Sequence, residues 1–595
     1  MTPGGLHGSL LHIDATAGEA WPERLPDADF HAAIGGIGLA SLLLLRLCPP
    51  GADPLGAQNP LIFATSPFVG TGITTASKIA VATRSPQTGM IGDSLSSSYL
   101  ALALKRTGHD AVAITGIAPA WSVLVIDDGR VTRRPAAELL GLSPRETADR
   151  LRTEMGSEFR IAAIGPAGER GVRYAAIAND GRLAGRTGAG AVMGAKRLKA
   201  VAVRGHRLPP VADPRRLAVL ARDLAARSMG PSTAKYREIG TVANVAFFNR
   251  MGILPTRNFA AGRFGAAEAI AGEQLRLEHY TGQHACAACT VGCEHHYRTR
   301  DDGPELSGRL EYESLFALGS LCGIGDPNVV LRAAACCDEL GMDTISAGGV
   351  IAWAMECRAR GVDLGVPPDD VPAWGDGEAL LRTLEWIGAR HGIGDLLADG
   401  ARAAARRVGQ GSDGWAMHVK GLELPGYDPR RLRTLALGLA VSPRGACHNR
   451  SSAYEVDLSD RLEPDASLRE RAEAAIAAED QAALFDSLTL CKFLRHALGD
   501  IYEESAALHA AVTGLPTEPE DLRAAAARIA EVKKRFNLAQ GWSRALDTLP
   551  PRLFANDGEG PAIDPLWLDR QIAAYYAARG WDAEGRPEGA SSAAV

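Results

Sequence analysis

Apolar positions change their rhythm near residue 208 of this chain. Before that point, short runs such as Leu61-Ile-Phe-Ala-Thr, Ile79-Ala-Val-Ala-Thr and Ile161-Ala-Ala-Ile are bounded by Gly, Pro and Asn, a pattern that predicts strands. The stretch Val123-Leu-Val-Ile-Asp-Asp-Gly-Arg-Val-Thr predicts a hairpin with an Asp-Gly turn. Leu208-Pro-Pro-Val-Ala-Asp-Pro reads as a linker. After it, spaced apolar residues predict helices over 214–228, 328–340, 345–360, 378–391, 393–407, 466–488 and 520–536. Their richness in Ala, Leu, Arg and Glu supports the same reading. Residues 589–595 predict a disordered tail, and no repeat of fixed period is present. The expected fold is α+β. A β-rich N-terminal domain (1–208) precedes two mainly α-helical domains (209–416 and 417–588).

Composition narrows the function classes. A chain of 595 residues, 46% hydrophobic, can bury large cores. With 23% charged residues, a net charge of −6 and no basic patch, it offers nothing to nucleic acid. There is no basic stretch followed by an apolar leader, and the longest apolar run, near Leu42–Leu45, is far too short for a bilayer. A cytoplasmic protein without a membrane segment is expected. Ten cysteines in such a chain are not a disulfide framework, and Cys48, Cys336, Cys337 and Cys357 read as small buried hydrophobes.

The cysteines of His284-Ala-Cys-Ala-Ala-Cys-Thr-Val-Gly-Cys are different. Cys286, Cys289 and Cys293 form a C-x-x-C-x-x-x-C run, too tight for independent buried thiols. A structural zinc would ask for a fourth ligand at similarly short spacing, and none follows. An iron–sulfur cluster can take its fourth thiolate from far along the chain, so a cluster is the favoured reading and zinc the alternative.

Glycine-rich segments add candidate anion sites. Asn179-Asp-Gly-Arg-Leu-Ala-Gly-Arg-Thr-Gly-Ala-Gly places Arg182 and Arg186 among residues that let backbone N–H groups approach a ligand. It is not a P-loop, because Lys196 is followed by neither Ser nor Thr. Gly72-Ile-Thr-Thr-Ala-Ser-Lys-Ile and Ser85-Pro-Gln-Thr-Gly-Met-Ile-Gly-Asp-Ser offer hydroxyls and Lys78 for phosphate. Two acidic motifs, Asp338-Glu-Leu-Gly-Met-Asp343 and Asp486-Ser-Leu-Thr-Leu-Cys491, can accept hydrogen bonds from a polar heterocycle, although Gly341 equally suits a plain helix C-cap.

Together with Gly35-Gly-Ile-Gly, Asn59-Pro-Leu-Ile-Phe-Ala-Thr, Leu254-Pro-Thr-Arg-Asn-Phe, Glu311-Tyr-Glu-Ser and Arg444-Gly-Ala-Cys-His448, these motifs resemble, in order and over nearly the whole length, the tungsten-containing aldehyde:ferredoxin oxidoreductases. The resemblance implies tungsten (or molybdenum) held by two molybdopterins at the domain interfaces, one 4Fe–4S cluster, and Mg2+ bridging the pterin phosphates. It implies Cys286, Cys289, Cys293 and Cys491 as cluster ligands. Pterin recognition would fall to Asp338, Gly341, Met342, Asp343, Asp486 and Leu490, and phosphate binding to Lys78, Arg182, Leu183 and Gly185. Glu313 and His448 would stand next to the metal, with Tyr312 and Arg450 close by. The implied reaction is oxidation of an aldehyde to a carboxylic acid, with Glu313 as general base, His448 as hydrogen-bond donor and a ferredoxin-like protein as electron acceptor. Assembly into an oligomer is compatible with this reading.

The chain also departs from the family pattern. Leu95-Ser-Ser-Ser98 replaces the usual Asn-Ser-Gly-Gly of a phosphate loop, and Arg332-Ala-Ala-Ala335 replaces the E-x-x-H of an interface iron, so no such iron is expected. Two alternatives remain within sight. One is a related tungstoenzyme such as the catalytic subunit of an ATP-independent benzoyl-CoA reductase, with Cys322 as a thiol at the metal. The other is a non-catalytic pterin-cofactor scaffold.

Overall fold

The computed structural model describes residues 3–463, 465–556 and 560–589. The expected disordered tail, apart from Gly589, lies outside the described residues. Two six-stranded sheets fill the N-terminal region. The first comprises β1 (Ser9–Asp14), β2 (Glu19–Arg24), β3 (Leu61–Ala64), β4 (Lys78–Arg84), β5 (Ile91–Ser97) and β6 (Ala111–Thr115), in the order β2-β1-β6-β3-β4-β5. The second comprises β7 (Ser122–Asp127), β8 (Arg130–Pro135), β9 (Arg160–Ala163), β10 (Ile177–Asn179), β11 (Arg182–Ala184) and β12 (Leu198–Arg204), in the order β11-β10-β9-β12-β7-β8. The apolar runs read as strands are β3, β4 and β9. β7 and β8 form the expected hairpin, with Asp128 and Gly129 both at positive φ as a tight two-residue turn requires. Helices also belong to this region. Pro144–Met155, for example, starts with a capping box between Ser143 and Glu146.

The segment after Leu208 is pinned at both edges. The Pro210 carbonyl accepts from Gly5 N, while Ala212 N and Asp213 N donate to the carbonyls of Val512 and Ala511. Beyond it the helices follow the expected spans closely: Pro214–Arg227, Pro327–Leu340, Thr344–Ala359, Gly377–Ala389, Leu468–Leu488 and Pro519–Ala539. The single helix expected over 393–407 is two, Ile393–Leu397 and Ala401–Val408, because Gly400 at φ 85° turns the chain between them. A small sheet of Tyr280–His284, Glu294–Arg298 and Ser307–Arg309 was not expected; its strands are rich in polar and charged residues and carry no apolar alternation. Among the described residues no single helix is long and apolar enough to cross a membrane.

One continuous core joins the two helical regions, running from Leu315, Trp353 and Leu384 through Leu437 to Leu553 and Tyr576. The N-terminal region meets them by close backbone approach. Gly36 has φ 46°, and a Cβ there would stand 2.5 Å from the carbonyl oxygen of Asp486. Only glycine lets the helix Gly36–Leu47 start against the end of Leu468–Leu488, which gives the Gly35-Gly-Ile-Gly motif its structural reason.

Candidate functional site

The thiols come from two places. Cys286, Cys289 and Cys293 occupy the connection between the strands Tyr280–His284 and Glu294–Arg298, where Ala288 and Gly292 take positive φ to wrap the loop. Cys491 follows Leu468–Leu488 after Thr489, also at positive φ. One loop clasps both: Thr75 Oγ1 accepts from Cys491 N at 3.0 Å, Thr75 N donates to the Ala288 carbonyl at 2.6 Å, and Thr74 Oγ1 meets Thr290 Oγ1 at 2.6 Å. Cys491 and Cys286 lie close enough to Cys289 and Cys293 to help raise their thiols, after burial as the first cause. Among the described residues no three His, Cys, Asp or Glu side chains are close enough to hold one metal ion. The four thiols are half-buried neighbours, three from one loop and the fourth from far along the chain, the arrangement that a cluster with one distant thiolate asks for.

Arg182, expected at pterin phosphate, reaches toward these thiols. Its Nη2 donates to Cys286 Sγ at 3.2 Å and pairs with Glu294, and its Nη1 lies 3.5 Å from Glu311. Leu183 and Gly185 line a chamber of about 180 Å3 with Arg309, Glu313, Asp338 and Asp343. A Cβ on Gly185 would meet nothing nearer than 3.8 Å, so the chamber is open there. A larger cavity of about 1070 Å3 shares Leu183, Arg309 and Asp338 with it.

The first acidic motif is both helix cap and chamber wall. Asp338 pairs with Arg309 at 3.3 Å, and Gly341 ends Pro327–Leu340 at φ 73°. A Cβ at Gly341 would stand 2.9 Å from the backbone nitrogen of Gly165. Asp343 caps the helix Thr344–Ala359, accepting from Ile345 N and Ser346 N, with Arg186 Nε 3.4 Å away. Met342 is fully buried in the core and bridges to Ala175 through backbone. In the second motif Leu490 is likewise core, while the Asp486 carboxylate receives Arg450 Nη1 at 2.7 Å and Lys492 Nζ at 3.2 Å, with Lys78 also near enough to favour its charge.

Several residues that complete this cradle were not singled out from the sequence. Asp93, on β5 and 1% exposed, receives Arg450 Nε at 2.9 Å and Lys533 Nζ at 2.8 Å, with Arg444 Nη1 3.6 Å away. Burial opposes its charge and the three cations outweigh burial, holding it far below the carboxylate range. Arg186 donates to the carbonyls of Ala446 and Glu423. Buried Nε atoms of Arg186 and Arg444 and Oδ1 of Asp93 have no hydrogen-bond partner. Buried arginine N–H groups without hydrogen-bond partners fit an anionic, hydrogen-bonding ligand, the chemistry of a pterin phosphate, whereas the chamber's own lining sets Glu311, Glu313, Asp338 and Asp343 against one cation, Arg309. The serines replacing the family's loop are already engaged: Ser96 donates to Asn179, and Ser98 caps Tyr99–Arg106.

Glu313 and His448 meet in a second cavity, and Glu313 lines both it and the chamber. Glu313 lies in the first turn of Tyr312–Leu318 and His448 begins the short helix His448–Ser451, set by the Cys447 cap. Gly426 N donates to Glu313 Oε2 at 3.0 Å, and Glu313 Oε1 lies 3.4 Å from His448 Nε2. The Tyr312 hydroxyl donates to the Gly426 carbonyl, fixing the loop that supplies this N–H. Burial pushes the Glu313 carboxyl up to about 8. Burial, and then Arg186, Lys492, Arg444 and Arg450, hold the His448 imidazolium well below its ordinary value. A cavity of about 440 Å3 leads from this pair past Phe248, Tyr427 and Tyr454 to exposed Lys235 and Arg461. Cys322, by contrast, is fully buried and directs Sγ to the carbonyls of Ala317 and Gly348.

Four neighbouring thiols, a chamber lined by Arg309 and four carboxylates, and a buried acid lie within a sheet-plus-helix fold, and similarity to known proteins gives the class, an oxidoreductase. The aldehyde ferredoxin oxidoreductase N-terminal domain model matches residues 10–205, and the model for domains 2 and 3 matches 220–593. The chain is 36% identical over 98% of its length to the tungsten-containing aldehyde ferredoxin oxidoreductases of Thermococcus kodakarensis and Pyrococcus furiosus, covering 97% of each. It is 28% identical to the aliphatic sulfonate oxidoreductase WOR-like subunit of P. furiosus. The active-site complex BamBC of benzoyl coenzyme A reductase superposes with a TM-score of 0.83 at 24% identity, covering 98% of this chain and 96% of that one, which shows the shared fold. The chain belongs to the aldehyde ferredoxin oxidoreductase family, and the family implies a tungsten–pterin cofactor.

Proposed function

We propose that the protein oxidises aldehydes to carboxylic acids, R-CHO + H2O → R-COOH + 2H+ + 2e−, at a tungsten (or molybdenum) bis-pterin centre. The observation that carries the reading is the Glu313–His448 pair, 3.4 Å apart at the base of a cavity open to solvent. When bound, the metal–pterin centre would supply Lewis acidity and accept the two electrons.

This chain's residues supply the rest. Asp338, Gly341, Met342, Asp343, Asp486 and Leu490 would hold the pterin rings through side chains or backbone. Lys78, Arg182, Leu183, Gly185 and Arg450 would hold their phosphates, whose charge Mg2+ would help neutralise. Glu313 Oε1 has no hydrogen-bond partner, whereas Oε2 is fixed by Gly426 N, so Oε1 is the atom free to take a proton from water. Burial keeps its proton affinity near the working range. His448 is neutral at neutral pH, and from Nε2 in its N–H tautomer it would donate to the substrate oxygen. Cys286, Cys289, Cys293 and Cys491 would hold a 4Fe–4S cluster, which would supply one-electron transfer toward a ferredoxin-like acceptor.

Metal analysis of protein grown with tungstate or molybdate, together with an aldehyde panel and a viologen dye, tests the reading. Dye reduction with stoichiometric acid product is expected; a pterin-loaded protein that turns over no aldehyde overturns it. Reduction of an aromatic acyl-CoA is the alternative, and the buried Cys322 thiol, already engaged with two carbonyls, offers it little support. A non-catalytic scaffold would have no need of Glu313 and His448.

A further inference from the structure

The aldehyde reading leaves the substrate class open, and the wall of the cavity narrows it. Its rings are placed for other rings. Tyr427 and Tyr454 stack at 4.9 Å between centroids and 29° between planes. His448 lies 5.0 Å from Tyr427, and Phe248 presents an edge to both Tyr312 and Tyr427 at 5.2 Å. In the same cavity Tyr236 stacks on Phe493 at 3.9 Å and 14°. An alkyl chain gains only buried area from such a wall, whereas a planar ring also gains the offset and edge-to-face geometries. A volume of about 440 Å3 is near the small end of ligand cavities and fits one ring with its substituents.

The charges along the cavity are unevenly matched. Glu311 accepts from Thr241 Oγ1 and faces Arg182, and Glu455 pairs with Arg495, with His496 at 3.9 Å. Glu313 is at the base. Lys235 and Arg461, exposed at the open end, have no carboxylate within 4 Å among the described residues, and Lys235 donates only to Asn244 Oδ1. The cavity thus runs from an acid–imidazole pair, along aromatic faces, to two cations with no carboxylate in direct contact, Glu273 acting on Lys235 only from a distance.

We propose that the preferred substrate is a monocyclic aromatic aldehyde with an anionic group on the ring opposite the aldehyde. The ring lies against Tyr427 and Tyr454, and the anion is met by Lys235 and Arg461. This rests on the aldehyde reading, and the experiment separates the two.

For the cofactor-loaded enzyme, kcat/KM is compared for 4-formylbenzoate, its methyl ester and hexanal, and binding of the same three is measured by calorimetry. The wild type is expected to favour 4-formylbenzoate over the ester, and the ester over hexanal. In the Lys235→Met/Arg461→Gln double variant the carboxylate-to-ester ratio should fall by about tenfold, the scale of two exposed ion pairs. The ratio cancels any difference in cofactor loading or folding. Equal handling of carboxylate and ester by the wild type, or a preference that persists in the double variant, overturns the proposal. Selective binding of 4-formylbenzoate without turnover of any aldehyde would uphold the recognition site and overturn the oxidation reading instead.

Discussion

Glu313 Oε1 and His448 Nε2 stand 3.4 Å apart, and burial drives their titrations in opposite directions, the carboxyl up to about 8 and the imidazolium well below 6.5. Between those limits both groups are neutral, so the pair is not an ion pair at neutral pH. It is an acid still holding its proton beside an uncharged imidazole. That arrangement gives the enzyme a base whose ionised fraction grows as pH rises and a donor whose charge does not change over the same range.

A pH dependence with a defined sign follows. The carboxylate is the working form, and the raised carboxyl loses its proton only as pH climbs through about 8. The rate constant of the loaded enzyme should therefore rise through that region. Glu313→Gln keeps size and the Gly426 contact but cannot accept a proton, so turnover should fall by about 10²–10⁴-fold with metal and iron retained. The rising limb should vanish as well. His448→Asn should slow turnover by less and leave the limb in place. A Gln variant that matches the wild type with full cofactor would make Glu313 a structural neighbour only.

The four thiols predict a clean loss. Cys491 is held by Thr75 Oγ1 through backbone rather than through its sulfur, so Cys491→Ser should leave the fold intact. Iron content and the electron paramagnetic resonance signal should drop or change type, because only three cysteines remain. Unaltered iron and an unaltered signal would mean that Cys491 is not the fourth ligand.

Asp343 has two separable duties. It caps Thr344–Ala359 and faces Arg186 and the chamber. Asp343→Ala should cost about 0.5–2 kcal/mol of stability as a lost cap, in addition to lost pterin. Asp343→Ser keeps a capping oxygen without the charge, so denaturant unfolding should be near wild type while bound pterin and tungsten fall together. Full occupancy in the Ser variant would remove Asp343 from the cofactor site.

The helical spans were legible because Ala-, Leu- and Arg-rich periodicity is a local signal. The break at Gly400 was missed because the glycine looks tolerable within that pattern until its φ of 85° is known. The strands around the cluster cysteines, Tyr280–His284 and Glu294–Arg298, were missed because they carry polar and charged residues where a strand usually alternates. Site residues were legible where they sit in short motifs. Asp93 lies more than 340 residues from Arg444, Arg450 and Lys533, and no sequence spacing encodes a cluster assembled across that distance. Tyr427 and Tyr454 look like ordinary core aromatics until the cavity is seen. The glycine-rich setting of Arg182 suggests a phosphate ligand, and it carries no sign of the contacts the structure gives this side chain with Cys286 and two glutamates.

That long-range cluster yields the strongest stability prediction. Asp93 is buried with Arg450 and Lys533 on its Oδ2 and Arg444 nearby, and its carboxyl is held far below the ordinary range. Removing the carboxylate leaves three cations with less counter-charge, a change worth about 3–5 kcal/mol when a buried pair is broken. Asp93→Asn, close in size, should lower the unfolding free energy of the cofactor-free protein by that order, seen as a lower denaturant midpoint at an unaltered slope. The pH dependence has a fixed sign too. A carboxyl with a depressed folded-state value contributes stability that is fully present above its unfolded value near 3.9 and is lost as pH falls. The gap between wild type and Asp93→Asn should therefore be constant from neutral pH down to about 5 and close as pH drops below about 4. A gap that persists undiminished in acid would mean that Asp93 acts through shape and packing, and that the three cations do not depend on its charge.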